Sequence, residues 1–176
     1  MSLVSGPERA LCADCPPSDE VISAEPGTII RVEGGAIRNE LNAPFAANIV
    51  VGGVQPGQEP AWELAQDMIS AAMAAVKPGA PASSVAAAMD ACAEVQGKAD
   101  WSVQPGYAGS GIGWGRIDGP LLSKNSKSVL RAGMALTLQA SVRHSSLGML
   151  ILRQNVVVTE GGCAFLNGKT TEPLIV

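Results

Sequence analysis

The stretch that decides the fold is Gly106-Tyr107-Ala108-Gly109-Ser110-Gly111-Ile112-Gly113-Trp114-Gly115. Its density of glycine invites interpretation as a phosphate-binding loop. The stretch contains neither G-x-x-x-x-G-K-[ST] nor G-x-G-x-x-G, and no helix start follows it. We therefore reject nucleotide binding and expect a segment in which two backbones approach closely.

The flanking sequence predicts an α+β domain. Apolar residues at helical spacing predict a helix from Pro60 to Lys77, and a second is expected from Ser84 to Gln96 with Ser83 or Ser84 as its N-cap. β-Rich runs predict strands at Leu3–Ser5, Thr28–Val32, Ala46–Val51, Met134–Gln139, Met149–Leu152, Asn155–Thr159, Cys163–Leu166 and Pro173–Val176. Strands, two helices and a further run of strands are typical of helices covering one face of a curved antiparallel sheet.

Length and composition narrow the class of protein. The 176 residues fit one domain spanning 1–176, and 47% hydrophobic residues exclude intrinsic disorder. A net charge of −4 without a Lys/Arg cluster argues against nucleic acid and anionic membranes as partners. The sequence has no apolar run of about 20 residues and no signal peptide at its start, so we expect a cytoplasmic protein.

Cysteine and histidine are scarce. Cys12 and Cys15 have C-x-x-C spacing, but distant single cysteines would have to complete a zinc site, so we interpret the pair as coincidental and expect free thiols. His144 is the only histidine. It follows the predicted Met134–Gln139 strand, and we expect it in an exposed turn.

Several segments, in order, resemble the pita-bread superfamily of methionine aminopeptidase, aminopeptidase P, prolidase and creatinase. Val4-Ser5-Gly6-Pro7 resembles its "SGP" strand end, Val32-Glu33-Gly34-Gly35-Ala36 its "D-x-G-A" turn, and Val76-Lys77-Pro78-Gly79 its "KPG" helix end. Gly109 to Gly113, Gly119-Pro120, Leu130 to Met134 and Val156 to Gly162 resemble the second half of the fold. Members carry further helix and strand ahead of the first metal ligand, so the chain resembles a shortened member.

The resemblance also implies which residues stand at metal-ligand positions. Active members bind two divalent metals through two Asp, one His and two Glu. In this sequence those positions hold, in the same order, Glu33, Pro44, Ser110, Gln139 and Arg153. Only Glu33 keeps a carboxylate. We therefore expect a vestigial cleft with no catalytic residues, no metal and no cofactor.

Further cleft positions follow from the same resemblance. The substrate-contacting His of the "H-E-x-P" segment falls on Ile117, beside Asp118 and near Trp114, and a His of the early loop is replaced near Asp14 or Cys15. A pseudoenzyme that binds a small molecule, peptide or protein in the cleft is the favoured interpretation. A metal-independent hydrolase resembling creatinase, and peptidase activity on Xaa-Pro or N-terminal peptides, are the alternatives.

Two structural expectations complete the analysis. Because the family's first Asp and last Glu bind the same metal pair, the resemblance implies that Glu33 and Arg153 project into one space. We expect them to form an ion pair there, with Ser110 and Gln139 supplying hydrogen bonds to the remaining donors and acceptors. Because the β-branched Thr28–Val32 strand would form an uncovered sheet edge, we expect a homo-oligomer or another covering partner.

Overall fold

The computed structural model describes residues 2–5, 24–96, 101–115, 117–144, 148–169 and 172–176. These residues form ten strands and two helices. They are β1 (Ser2–Ser5), β2 (Ile29–Arg38), β3 (Leu41–Val50), α1 (Glu59–Ala75), α2 (Ala82–Gln96), β4 (Trp101–Val103), β5 (Tyr107–Gly111), β6 (Asp118–Ser123), β7 (Ala135–His144), β8 (Gly148–Thr159), β9 (Gly162–Phe165) and β10 (Leu174–Ile175).

The first sheet has four strands in the order β1-β2-β3-β10. β2 and β3 form a hairpin closed by Asn39 and Glu40, whose φ angles of 49° and 67° suit a two-residue turn that twists with the strands. Both strands extend beyond the predicted 28–32 and 46–51 because the pairing continues to this turn. β2 lies between β1 and β3, so the expectation that Thr28–Val32 forms an uncovered edge is wrong.

The second sheet has the strand order β6-β5-β7-β8-β9, and β4 also pairs with β7. The predicted segments 149–152 and 155–159 are one strand, β8. The polar residues between them continue the alternation: Arg153 points to one face, and Gln154 is buried on the other, where its amide donates to Asn167 at 3.1 Å.

Both helices cover one face of the second sheet, as predicted. α1 contacts β7 and β8, and α2 contacts β5 and β6. Alternate residues of β7 and β8 point toward the helices and are fully buried with the helices' inner faces. From β7 and β8 these are Leu136, Leu138, Ala140, Val142, Leu150, Leu152, Val156 and Val158.

The helix ends differ slightly from the predictions. α1 begins with Pro60 in its first turn, as expected, but ends at Ala75, so Lys77 lies beyond it. α2 begins at Ala82, and the Ser84 hydroxyl donates to the Pro81 carbonyl at 2.7 Å instead of capping the helix. Neither described helix is long and apolar enough to cross a membrane.

The expectation that His144 lies in an exposed turn is wrong. β7 continues to His144, which pairs with Trp101 of β4 on one side and Gly148 of β8 on the other. Its ring lies against the Trp101 ring with 4.8 Å between centroids. Pairing on both sides keeps this end of β7 extended and half-buries the imidazole.

Candidate functional site

The hairpin of β2 and β3 packs against β8 on the side of the second sheet opposite the helices. Asn48 fixes this contact: its amide donates to the Ile151 carbonyl at 2.7 Å and accepts from the Ile151 N–H at 3.1 Å. We call the surface that carries Ser110, Gln139 and Arg153, together with the facing Glu33 and Pro44, the cleft face. It therefore contains the five positions that the family resemblance singled out.

The guanidinium of Arg153 binds three separate acceptors. Nη2 lies 2.7 Å from a Glu33 carboxylate oxygen, and Nε donates to Gln139 Oε1 at 2.8 Å. Nη1 donates to the Phe45 carbonyl at 3.3 Å. The predicted Glu33–Arg153 ion pair is confirmed, and so is the participation of Gln139, which accepts a hydrogen bond from Arg153. These three partners hold the planar guanidinium of Arg153 in one orientation.

Arg31, which was not among the residues predicted from the sequence, shares the carboxylate of Glu33. Its Nε lies 2.8 Å from the second oxygen of Glu33, and its side chain is 3% exposed. Glu33 therefore bridges two arginines. Because alternate strand residues share a face, the i, i+2 spacing of Arg31 and Glu33 was the available signal.

Pro44 takes part in the cleft face through its main-chain carbonyl, whereas Ser110 does so through its side-chain hydroxyl. Pro44 lies diagonally from Glu33 on the hairpin, and its carbonyl accepts from Asn155 Nδ2 at 3.0 Å. Ser110 is opposite Thr137, but its buried hydroxyl donates to the adjacent Gly111 carbonyl at 3.2 Å. Ser110 therefore supplies its hydrogen bond to the Gly111 carbonyl and not to the Glu33–Arg153 pair.

The glycines beside Ser110 are required by close backbone packing. Gly109 has φ +131°, and a Cβ there would collide with the Thr137 carbonyl of β7. A Cβ on Gly111 would collide with the Gly119 carbonyl of β6. The expectation of two closely approaching backbones is therefore confirmed.

Two buried polar atoms on the β7–β8 side of the cleft face have no hydrogen-bond partner in the described structure. They are Thr137 Oγ1, in a residue only 4% exposed, and Asn155 Oδ1. The two residues are paired across β7 and β8, so both atoms lie in the same row as Ser110. A buried hydroxyl and a buried amide oxygen can together donate to and accept from a bound molecule.

The remaining predicted residues are Trp114 and Ile117, in the loop between β5 and β6, and Asp118, the first residue of β6. Trp114 is 79% and Ile117 58% exposed. The Asp118 carboxylate accepts from the Gly119 and Trp114 N–H groups, both at 2.9 Å. Backbone hydrogen bonds stabilise the charged carboxylate and hold the pKa of Asp118 below its ordinary value. The bond from Gly119 has the largest effect, followed by those from Gly115 and Trp114. The loop meets the hairpin where Asn42 N–H donates to the Gly113 carbonyl at 2.8 Å.

The residues at the five positions do not fit a divalent metal. Pro44 has no side-chain donor, Ser110 donates its proton elsewhere, and Gln139 is bound to a guanidinium. Arg153 adds a positive charge to the place where cations would bind. Among the residues that the structure describes, no group of three or more His, Cys, Asp or Glu could hold a metal ion.

Cysteine gives no alternative centre in the described part of the chain. Cys92 and Cys163 are free thiols, as expected. Burial raises the pKa of both thiols, which disfavours the reactive thiolate. Cys12, Cys15 and Asp14 lie outside the described residues.

The chain belongs to metallopeptidase family M24, whose family model matches residues 1–160. Among curated proteins, it is 26% identical over 151 residues to the Xaa-Pro dipeptidase of Pyrococcus furiosus. That match covers 86% of this chain and 42% of the relative, so the chain spans less than half the relative's length.

Solved structures with the same fold include an X-Pro aminopeptidase from Thermotoga maritima and a dipeptidase from Pyrococcus horikoshii. Both have a TM-score of 0.86 and cover 99% of this chain and 48% of their own, at 20% and 22% identity. The predicted α+β pita-bread fold is therefore confirmed.

Proposed function

We propose that this chain is a metal-free, non-catalytic member of its family that binds a small molecule, peptide or protein on the cleft face. The observation that carries the proposal is the position of Arg153. Its guanidinium binds Glu33, Gln139 and the Phe45 carbonyl at a position that the family resemblance assigns to a metal-ligand carboxylate. Such a cation repels divalent metals and neutralises the single remaining carboxylate.

Binding rather than catalysis also agrees with the groups left on the cleft face. Thr137 Oγ1 and Asn155 Oδ1 are buried polar atoms without described partners, as expected of a surface that hydrogen-bonds a ligand. Ser110 has no described general base to activate it, since its hydroxyl donates to a carbonyl and His144 lies at the far end of β7.

Elemental analysis tests the absence of metal. After incubation with manganese, cobalt or zinc and dialysis, we expect substoichiometric metal in the purified chain. Stoichiometric metal that is lost on Glu33→Ala would contradict the proposal, because Glu33 is the remaining carboxylate at the five positions.

An activity assay tests the catalytic alternatives. Xaa-Pro dipeptides and peptides with N-terminal Met are offered with and without manganese or cobalt, and again with a chelator. We expect no turnover in any condition. Metal-stimulated turnover would establish a peptidase, whereas chelator-resistant turnover that Ser110→Ala abolishes would establish a metal-independent hydrolase of the creatinase type.

We also propose that the protein is homo-oligomeric and that it is located in the cytoplasm. The free thiols of Cys92 and Cys163 agree with a reducing compartment. Cell fractionation and sedimentation test these two statements independently of the cleft.

A further inference from the structure

The β2–β3 hairpin has a second face, on the side of the first sheet that points away from β8. Alternate residues of both strands point toward β8, and the residues between them form this second surface, which we call the outer face. β8 packs against the inner side of the hairpin, and both described helices pack against the second sheet. Neither β8 nor the described helices therefore cover the outer face.

The composition of the outer face is not that of a sheet face in contact with water. An antiparallel sheet that is covered on one side normally has apolar inner and polar outer residues. On β3 the outer residues are Leu41, Ala43, Phe45, Ala47 and Ile49, and none of them is polar. Leu41 is 51% and Phe45 43% exposed. This pattern indicates that a further layer covers the hairpin in the assembled protein.

The outer face carries almost no charge. On β2 its residues are Ile30, Val32, Gly34 and Ala36, and then Arg38 beside the turn. Arg38 is the only charged residue at the outer positions of these two strands, and it lies at one end of the face. Two identical outer faces can therefore approach each other without the repulsion that like charges would cause.

Large and small side chains alternate along the outer row of β3. Leu41, Phe45 and Ile49 are separated by Ala43 and Ala47, with about 6.8 Å between successive outer residues. A two-fold axis between Ala43 and Phe45 would set each Phe45 over Ala43 of the partner subunit, and each Leu41 over Ala47 of the partner subunit. The row is thus complementary to itself, as an interface between identical chains requires.

The area of the outer face suits a reversible dimer. With about 3.3 Å per residue and about 4.8 Å between strands, β2, β3 and the flanking β1 and β10 present about 400 Å². Two such faces bury about 800 Å² of flat area, and the relief of the side chains brings the accessible area close to the roughly 1,000 Å² of a specific interface. Leu174 of β10, which is opposite Ile49 and 60% exposed, extends the apolar surface.

We infer that two copies of this chain associate through their outer faces, with the two first sheets stacked about 10 Å apart. The inference rests on the proposed homo-oligomer and specifies its surface. The cleft face lies on the opposite side of each hairpin, so the dimer would present two cleft faces that point away from each other. Ligand binding on the cleft face would therefore not compete with dimer formation.

Sedimentation velocity of the full chain over a range of concentrations tests this surface. Phe45→Glu places a carboxylate near the proposed two-fold axis, where two like charges would meet in a desolvated interface. We expect it to raise the dimer dissociation constant at least about tenfold. The matched control Ile37→Glu places the same charge at an exposed apolar position on the inner side of the same hairpin, and it should leave the dissociation constant unchanged.

A charge-swap mixture separates a lost interface from a lost fold. Phe45→Lys alone should also be monomeric, whereas an equal mixture of Phe45→Glu and Phe45→Lys should form a mixed dimer. A dimer that Phe45→Glu leaves intact overturns this surface but not the proposed homo-oligomer. A wild type that stays monomeric at the highest concentration overturns both, and a loss of stability in monomeric Phe45→Glu would then show that the same chain covers the outer face.

Discussion

Glu33 is the residue on which the charge balance of the cleft face depends. It contacts Arg31 at 2.8 Å and Arg153 at 2.7 Å, and the three side chains form a bridged triad. The sequence predicted only the pair of Glu33 and Arg153, and replacing both partners of an isolated buried pair with apolar residues of similar volume is often nearly neutral. The third member changes that expectation, because the double replacement also takes the carboxylate from buried Arg31.

The triad predicts an unequal response to single substitutions. Arg153→Ala leaves Glu33 paired with Arg31, whereas Glu33→Ala leaves two guanidinium groups facing each other. We expect Glu33→Ala to lower the free energy of unfolding by about 2–4 kcal/mol and Arg153→Ala by about 1–2 kcal/mol. These losses are smaller than those for breaking a fully buried ion pair, because the side chains of Glu33 and Arg153 are each about a fifth exposed.

Urea denaturation of both variants measures this difference, with the exposed Arg131→Ala as the control. An Arg153→Ala variant that is less stable than Glu33→Ala would contradict the bridged arrangement. Replacing all three members with apolar residues of similar volume should recover most of the loss.

Asp118 provides a pH prediction at the same scale. Its lowered pKa means that the carboxylate stays charged, and keeps its N–H partners, to a lower pH than an ordinary Asp does. The stability that these hydrogen bonds of Asp118 contribute is fully present above the ordinary pKa of 3.8. It is lost as the pH falls through the lower pKa of the folded state. We expect an NMR titration midpoint below 3.8, and Asp118→Asn should raise the mobility of the loop around Trp114. A midpoint at or above 3.8 would show that these hydrogen bonds do not form.

Among the elements, the contact between the β2–β3 hairpin and β8 positions the cleft face. β9 pairs only with residues 156–159 of β8, so the strand edge at Ile151 is not covered by β9. The Asn48 amide takes the place of a neighbouring strand there by bonding both the N–H and the carbonyl of Ile151. Asn48 thereby holds the two sheets together, alongside the hydrogen bonds from Arg153 to the Phe45 carbonyl and from Asn155 to the Pro44 carbonyl.

Removing this amide should loosen the hairpin. Asn48→Leu keeps the approximate volume but leaves the Ile151 N–H and carbonyl buried without these partners, so we expect a loss of about 2–4 kcal/mol. Hydrogen exchange at Ile151 should accelerate, while Leu136 in the helix-facing core stays protected. An Asn125→Leu variant in an exposed turn is the control, and equal stability of both variants would refute the role of Asn48.

For the whole molecule, the oligomeric state remains a prediction. Its original reason no longer holds, because β2 is an inner strand. However, β10 is an edge strand, and Leu174 and Ile175 are 60% and 64% exposed. Exposed apolar edges are usually covered in natural proteins. We expect a concentration-dependent dimer or larger assembly by sedimentation velocity, and a monodisperse monomer at the highest concentration would refute it.

The fold and several cleft residues could be predicted from the sequence because they depend on short motifs and on the periodicity of single elements. The pita-bread fold was indicated by the order of the family motifs along the chain. The two amphipathic helices and the glycines at Gly109 and Gly111 agree with that fold. The family resemblance placed Glu33 and Arg153 in one space, because it assigns both residues to ligand positions of the same metal pair. Boundaries failed where pairing overrides propensity, as in β8, which continues through two polar residues because each finds a partner on its own face.

What only the tertiary structure decided is which distant side chains share the cleft face. Arg31 and Met149 are 118 positions apart, and their contact depends on how the hairpin sits on β8. The same packing brings Asn48 to Ile151, at a sequence separation of 103. Periodicity determines the face on which a residue lies, but the register between two packed sheets determines its neighbours. The sequence alone therefore indicated the family, its fold and the pair at the former ligand positions, while the bridged triad of Arg31, Glu33 and Arg153 emerged only from that packing.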